Sequence, residues 1–525
     1  MLTLAPDSFE WALTHVERHG DTDVFPNPFE YEAIRHDWTN VREFLSAQNV
    51  LEWKVRARRQ LLAPKARYGF RVITQLDPLD LLVFTALVYE IGADIETKRV
   101  PDASKVVFSY RFKPTADGDF FDQQVGYRGF VQACRDKETA DEGVVYVAVT
   151  DISDFYSRIY HHRLENRLRN ATPKTAHVNA IMGLLSNWNA SETFGIPIGN
   201  AASRLLGEAT LSDVDEALLA NGVNFVRFND DYRIFARTHA EAYRHLAFLA
   251  ETLYRNHGLT LQRQKTDVLL WDTFVKRFLS TPIDRELDSL HTRFDEIIQK
   301  LGLSDPYEPI DPSSLPPEIQ DLIDALNLQS LLREELQRDT DLDIAVVRFI
   351  LRRLGQLGET SVVDDLLDRV ETTHPVFPYV VQYLEEIAPV LGDERARIGK
   401  KLIGLYEDSI LNELDYHKMW CLEPFAKSSE WGQGDRVFRL FGDARDQASR
   451  RQLILAMGRA GQNHWFQSQW RSLDDYAPWP RRALIAGASC MPGDARNHWY
   501  RSIEHQLDPL EKAVVRWVRT NSFSG

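Results

Sequence analysis

Cysteine is scarce: Cys134, Cys421 and Cys490 lie far apart. Three scattered thiols build neither a disulfide framework nor a zinc site, so reduced cysteines are expected. Histidine is not arranged for metal either, and His161-His162 reads as helix surface. No apolar run reaches the roughly 18 residues that a membrane helix needs. Low-complexity stretches are missing, and Met1 to Asp7 lacks a basic-then-apolar leader pattern. These absences predict a soluble, cytoplasmic protein with no membrane partner. A surplus of positive charge is also missing, since 62 Lys and Arg face 77 Asp and Glu for a net charge of −15. Phosphate contacts drive nucleic-acid affinity, so this balance argues against a chain that clamps a long duplex. The positive charge is local instead, clustered at Lys54, Arg56, Arg58, Arg59, Lys65, Arg67 and Arg71. Such a patch suits a short, enclosed product path.

Against these absences stands Phe228-Asn229-Asp230-Asp231, with apolar residues on both sides (Asn224 to Arg227 before, Tyr232 to Phe235 after). The pattern predicts a β-hairpin with two adjacent carboxylates at its tight turn. Burying them together requires a cation, and a divalent metal is the simplest. Upstream, Val144 to Val149 is a β-branched and aromatic run that delivers Asp151 at the C-terminal end of a buried strand. Ser157 to Leu168 then reads as helix, with Ile159, Leu164 and Leu168 on one face. Asp154 fits a helix N-cap. A strand-end Asp converging with an Asp-Asp hairpin is the minimal apparatus for two-metal phosphoryl transfer. Positioning and charge neutralisation carry such a reaction.

Two further segments share this order: Gly195 to Ser203, a Gly-x-Pro-x-Gly turn leading into a helix, and His257 to Thr266. Asp151 to Tyr156, Gly195 to Ser203, Phe228 to Asp231 and His257 to Thr266 together resemble motifs A, B, C and D of reverse transcriptases. The resemblance covers roughly residues 55 to 270, with Phe228 in place of the usual Tyr. It implies Asp151, Asp230 and Asp231 as catalytic residues, these three with Ile152 as the metal site, and Mg²⁺ as cofactor with Mn²⁺ as the alternative. It implies nucleotide contacts from Tyr156, Asp154, Phe155, Gly199, Lys65, Arg67, Arg71 and Lys265. Tyr156 would be the ring that excludes a 2′-hydroxyl, making deoxynucleoside triphosphates the substrate; a core Tyr is the other reading. Lys65, Arg67 and Arg71 lie around a basic turn between two short strands (Leu62 to Ile73) and would face the triphosphate; Lys265 would approach the leaving pyrophosphate.

Residues 303–318 are rich in Pro, Asp and Ser and read as linker. Beyond them nearly everything reads as amphipathic helix. Apolar helical cores recur at Val380, Met419, Leu453, Ala483 and Ala513, roughly 30 to 40 residues apart, which suits stacked helical pairs. The expected fold is therefore an α+β fingers and palm of reverse-transcriptase type, followed by an all-α HEAT-like repeat domain. The expected division is a helical extension over 1–50, fingers and palm over 51–275, a linker over 276–320 and helical repeats over 321–525.

A palm followed by a helical-repeat tail resembles the abortive-infection and defence-associated reverse transcriptases of bacteria. That resemblance implies anti-phage defence through DNA synthesis. It brings in a single-stranded DNA product attached in some relatives to a protein tyrosine, a non-coding RNA in others, and assembly into homo-oligomers. Untemplated synthesis is among its implications. Tyr31, Tyr416 and Tyr476 are considered as primers. Two alternatives stand beside this reading: a template-copying enzyme acting on a bound non-coding RNA, and a non-catalytic RNA-binding scaffold.

Overall fold

The computed structural model describes residues 1–525 except 23, 141–142, 190–191, 280–289, 291–292, 295, 299, 302–309, 311–314, 325, 339–341, 470 and 522–525. Its compact units do not follow chain order: one comprises 1–31, 38–59 and 74–281, the other 32–37, 60–73 and 282–525.

The basic segment forms the expected hairpin, β1 (Arg59–Ala66) and β2 (Gly69–Gln75), a two-stranded sheet of its own. Lys65, Arg67 and Arg71 on it are exposed, whereas Arg59 is buried and donates from Nε to Gln75 Oε1 at 3.0 Å. Arg59 therefore drops out of the basic surface patch. The hairpin from 60 to 73 belongs with the second unit.

In the first unit, β3 (Tyr146–Asp151), β4 (Asn224–Phe228), β5 (Asp231–Ala236) and β6 (Asp267–Leu270) form an antiparallel sheet in the order β4-β5-β3-β6. β3 is buried along nearly its whole length, because both faces of the sheet are covered. Val147, Val149, Val226 and Phe235 pack with Phe130 and Cys134 of the helix Tyr127–Ala140. The helix His239–His257 packs on β5, β3 and β6, capped by Thr238 at its start and by left-handed Gly258 at its end. The helix Pro78–Thr97 is apolar almost all round, and it packs against Pro6–His19, His161–Ala171, Thr175–Trp188 and Ala201–Ala220.

Two local expectations change. The helix expected over Ser157 to Leu168 is broken into Phe155–Arg158 and His161–Ala171. The break lets Ile159 O accept from Gly195 N at 2.9 Å and Tyr160 bridge to Phe194, so the chain after β3 is tied to the Gly-Pro turn. His161 is not surface: it is buried, with Nε2 2.8 Å from Gly195 O.

The second unit is helical beyond residue 317 wherever regular structure occurs among its described residues. The five recurrent apolar segments lie on Phe377–Leu391, Asp415–Lys427, Gln447–Arg459, Pro478–Gly487 and Pro509–Thr520, and each of these helices packs on the next. Gly458 and Gly487 permit one such approach, since a Cβ on Gly458 would sit 2.6 Å from Gly487 Cα. Most of the expected linker at 303–318 lies outside the described residues, and a helix begins at Pro317. Tyr31 and Tyr416 are buried, and Tyr476 donates its hydroxyl to Gln469 at 2.9 Å. Among the described residues no helix is long and apolar enough to cross a membrane.

Candidate active site

β4 and β5 are joined by the two-residue turn Asn229-Asp230, with Phe228 opposite Asp231. Asn229 takes the left-handed conformation (φ 55°) that this tight turn needs and that Asn tolerates better than most residues. Across the next pair, Asp151 lies opposite Asp231. Directly paired residues share a face, so the strand register sets these two carboxylates side by side. Asp230 joins them from the turn, where its carbonyl accepts from Ile152 N at 3.1 Å. The segment after Gly258 closes the far side: Asp151 O accepts from Gln262 N at 2.7 Å, and Ser153 N donates to Thr260 O at 2.9 Å.

Burial and the charge of Asp151 push the Asp230 carboxyl up to about 7. Asp231 is also raised by burial, against the opposing pull of Arg233. Arg233 grips Asp231 with both terminal nitrogens, one at 2.9 Å, while its guanidinium lies over the rings of Phe130 (5.5 Å) and Phe278 (5.0 Å). The Lys265 ammonium is ion-paired with Asp151. Burial alone would lower the Lys265 pKa, but the hydrogen bond and charge of Asp151 raise it. Lys265 is thus placed on the Asp151 carboxylate of the candidate site.

Among the described residues no three His, Cys, Asp or Glu side chains form a preformed metal cluster. The ion pairs to Arg233 and Lys265 explain this for Asp231 and Asp151. The donors still fit a hard divalent cation. They are carboxylates from two neighbouring strands and the turn between β4 and β5, and burial, with the charge of Asp151, already drives Asp230 toward its protonated form.

Tyr156 follows β3 and is half-buried. Its ring lies against Gly207 of the helix Ala201–Ala220, where an added Cβ would sit 3.0 Å from Tyr156 Cε1 and 3.1 Å from Phe155 Cε1. Phe155 is buried in that contact; Asp154 is exposed, left-handed (φ 46°) and makes no side-chain cap. Gly195 and Gly199 both have positive φ (88° and 114°), as the turn before the helix requires. Ile196 N donates to Tyr156 O at 3.0 Å, fixing this turn to the Tyr156 segment. Phe228 packs among Tyr127, Tyr110 and Phe130, a wholly aromatic setting that asks nothing of a hydroxyl.

The opposite face of the sheet holds residues that the sequence reading missed. Arg227 is fully buried and binds Asp215 (Nε to Oδ1, 2.8 Å) and Glu208 (Nη2 to Oε2, 2.9 Å). Glu208 also accepts from Arg99 (2.6 Å) and from the Ser109 hydroxyl (2.5 Å). Burial would raise Glu208, but Arg227 and Arg99 hold it below its ordinary range. The signals were an Arg inside an apolar strand, and Glu208 and Asp215 seven residues apart on the helix Ala201–Ala220.

Residues 106–295 match the family described as reverse transcriptase (RNA-dependent DNA polymerase). A solved structure of telomerase from Candida albicans, in complex with a TWJ fragment of telomeric RNA, is similar at 11% identity and a TM-score of 0.31, covering 79% of this chain and 71% of that one. No curated protein matches the chain. The chain carries a reverse transcriptase domain and is a nucleotidyltransferase of the RNA-directed DNA polymerase class.

Proposed function

We propose that this protein is a defence-associated reverse transcriptase, a metal-dependent DNA polymerase that extends a primer with deoxynucleotides. The observation that carries the chemistry is the placement of Asp151, Asp230 and Asp231 at one end of the β3–β5 pair, within the matched domain. These carboxylates, with Ile152 beside them, would hold Mg²⁺, with Mn²⁺ as the substitute. Bound there, two ions would activate the attacking hydroxyl and stabilise the leaving pyrophosphate. The chain's own residues position and select. Tyr156 blocks the space a 2′-hydroxyl would need, and Gly199 lets the backbone approach the nucleotide. Lys265 neutralises Asp151 until a cation replaces it. Lys65, Arg67 and Arg71 on the β1–β2 hairpin supply cations of the kind that grip a triphosphate; Asp154 and Phe155 shape the nucleotide side of the β3 end. The helical tail is read as a HEAT-like repeat array and as the surface for a homo-oligomer or a non-coding RNA.

Priming by a protein tyrosine and synthesis without a template belong to this reading. Incubating the full chain with Mg²⁺ and labelled deoxynucleotides, without primer or template, tests them. Label that shifts on protease treatment supports protein priming, and sequencing shows whether a template was copied. Extension only of a supplied primer on RNA moves the reading to a template-copying enzyme. No incorporation under any metal leaves a non-catalytic scaffold.

A further inference from the structure

Every polar group of Asn229 is engaged. Its backbone N donates to Ser109 Oγ at 2.8 Å, and its carbonyl accepts from Arg227 Nη1 at 2.8 Å. Its side chain does something different. Oδ1 accepts from the Tyr156 hydroxyl at 2.9 Å, and Nδ2 donates to Asp230 Oδ1 at 2.8 Å. With Asp230 ionised, as a metal ligand must be, the reverse amide orientation would set two acceptors against each other, so Nδ2 donates to the ionised carboxylate. The backbone bonds and the β4–β5 ladder already hold the turn. The side chain is therefore free to serve another purpose, and among the described residues it bridges two groups, the Tyr156 hydroxyl and the Asp230 carboxylate.

Resting on the polymerase reading above, we infer that Asn229 is a positioning residue that orients Asp230 and couples it to Tyr156. The Tyr156 ring then selects the sugar, and its hydroxyl, through Asn229, sets the carboxylate. The ring's place depends on packing against Gly207 and Phe155, not on the hydroxyl, so the two roles separate by substitution.

The bland explanation is that Asn229 is present only for its left-handed backbone. Asn229→Gly discriminates, because glycine adopts that conformation freely and removes only the side chain. Mn²⁺ binding to the full-length, nucleotide-free chain is measured by calorimetry, alongside incorporation of deoxy- and ribonucleotides. Hydrogen bonds of this kind to a metal ligand are worth about 10–100-fold in metal affinity or activity, and Asn229→Gly is expected to lose that much in Mn²⁺ affinity with kcat falling in parallel. Tyr156→Phe loses less in the same direction and keeps sugar discrimination within about twofold, whereas Tyr156→Ala loses discrimination. The double variant Tyr156→Phe/Asn229→Gly is no worse than Asn229→Gly, because one bridge is broken twice. Wild-type Mn²⁺ affinity and kcat in Asn229→Gly would overturn the inference, as would loss of discrimination in Tyr156→Phe equal to that in Tyr156→Ala. A wild-type chain that binds Mn²⁺ tightly but incorporates no nucleotide removes the polymerase reading, and the affinity of Asn229→Gly still decides the bridge to Asp230.

Discussion

Two acidic clusters lie on opposite faces of one sheet, and they differ in their charge balance. Behind the β4–β5 turn, Glu208 and Asp215 meet Arg227 and Arg99, and Arg99 continues through Glu96 to Arg111, three acids against three guanidiniums, all buried except the half-buried Glu96. At the sheet end, Asp151, Asp230 and Asp231 meet Arg233 and Lys265, three acids against two cations, one of them half-exposed. The balanced cluster is a brace: each carboxylate is ion-paired with a guanidinium and hydrogen-bonded to it, although burial still raises Asp215 against the pull of Arg227. The unbalanced one carries a surplus that burial makes costly, and an entering cation relieves it. The brace also serves the site, because Arg227 and Ser109 reach from it to the backbone of Asn229.

The contrast can be broken from either side. The largest effect belongs to the unbalanced cluster. Asp230→Ala or Asp231→Ala is expected to cut nucleotide incorporation below about a thousandth of wild type, beyond the loss of a single transition-state donor, while leaving the fold intact. Full activity in either variant would remove the assignment. On the balanced side, Arg227→Met strands buried Asp215 and leaves Glu208 only Arg99 and Ser109, and it is expected to cost about 3–5 kcal/mol in urea unfolding. A loss near zero would mean that those acids are not held as charges.

The pH response separates the clusters further. Asp230 has a folded-state pKa of about 7, above the ordinary 3.8. The folded state then holds a proton that the unfolded state has released, so this group's contribution falls as pH rises through that window. In chelator, wild-type Tm should drop between pH 5 and pH 8 more than that of Asp230→Asn, and Mg²⁺ should flatten the difference. Equal slopes would show that Asp230 is not destabilised by its neighbours. The smallest effect is at Gly207→Ala. Helix propensity gains up to about 1 kcal/mol, yet the new methyl must displace the Tyr156 and Phe155 rings, so stability changes little while sugar discrimination shifts.

The sequence showed the sheet end well, because the continuous apolar run before Asp151 and the apolar runs around Asp230-Asp231 are local signals that survive folding. The same holds for the hairpin β1–β2 and the recurrent apolar helices. What escaped was nonlocal. The Arg227–Glu208–Asp215–Arg99 brace joins residues up to 128 positions apart in sequence, from Arg99 to Arg227, and no periodicity marks a charge as buried. The helix break at Ile159-Tyr160 depends on pairing with Phe194, and Lys265 on Asp151 depends on how the Gly258 segment folds back. The two-unit division cuts across chain order for the same reason.

The most direct test of the central claim replaces Mg²⁺ with Fe²⁺ and maps hydroxyl-radical cleavage of the backbone by mass spectrometry. Cuts at the end of β3 and at the Asn229-Asp230 turn, abolished in Asp230→Ala, are the predicted result. Cleavage elsewhere, or the same cuts in Asp230→Ala, would contradict a metal site built on the unbalanced cluster.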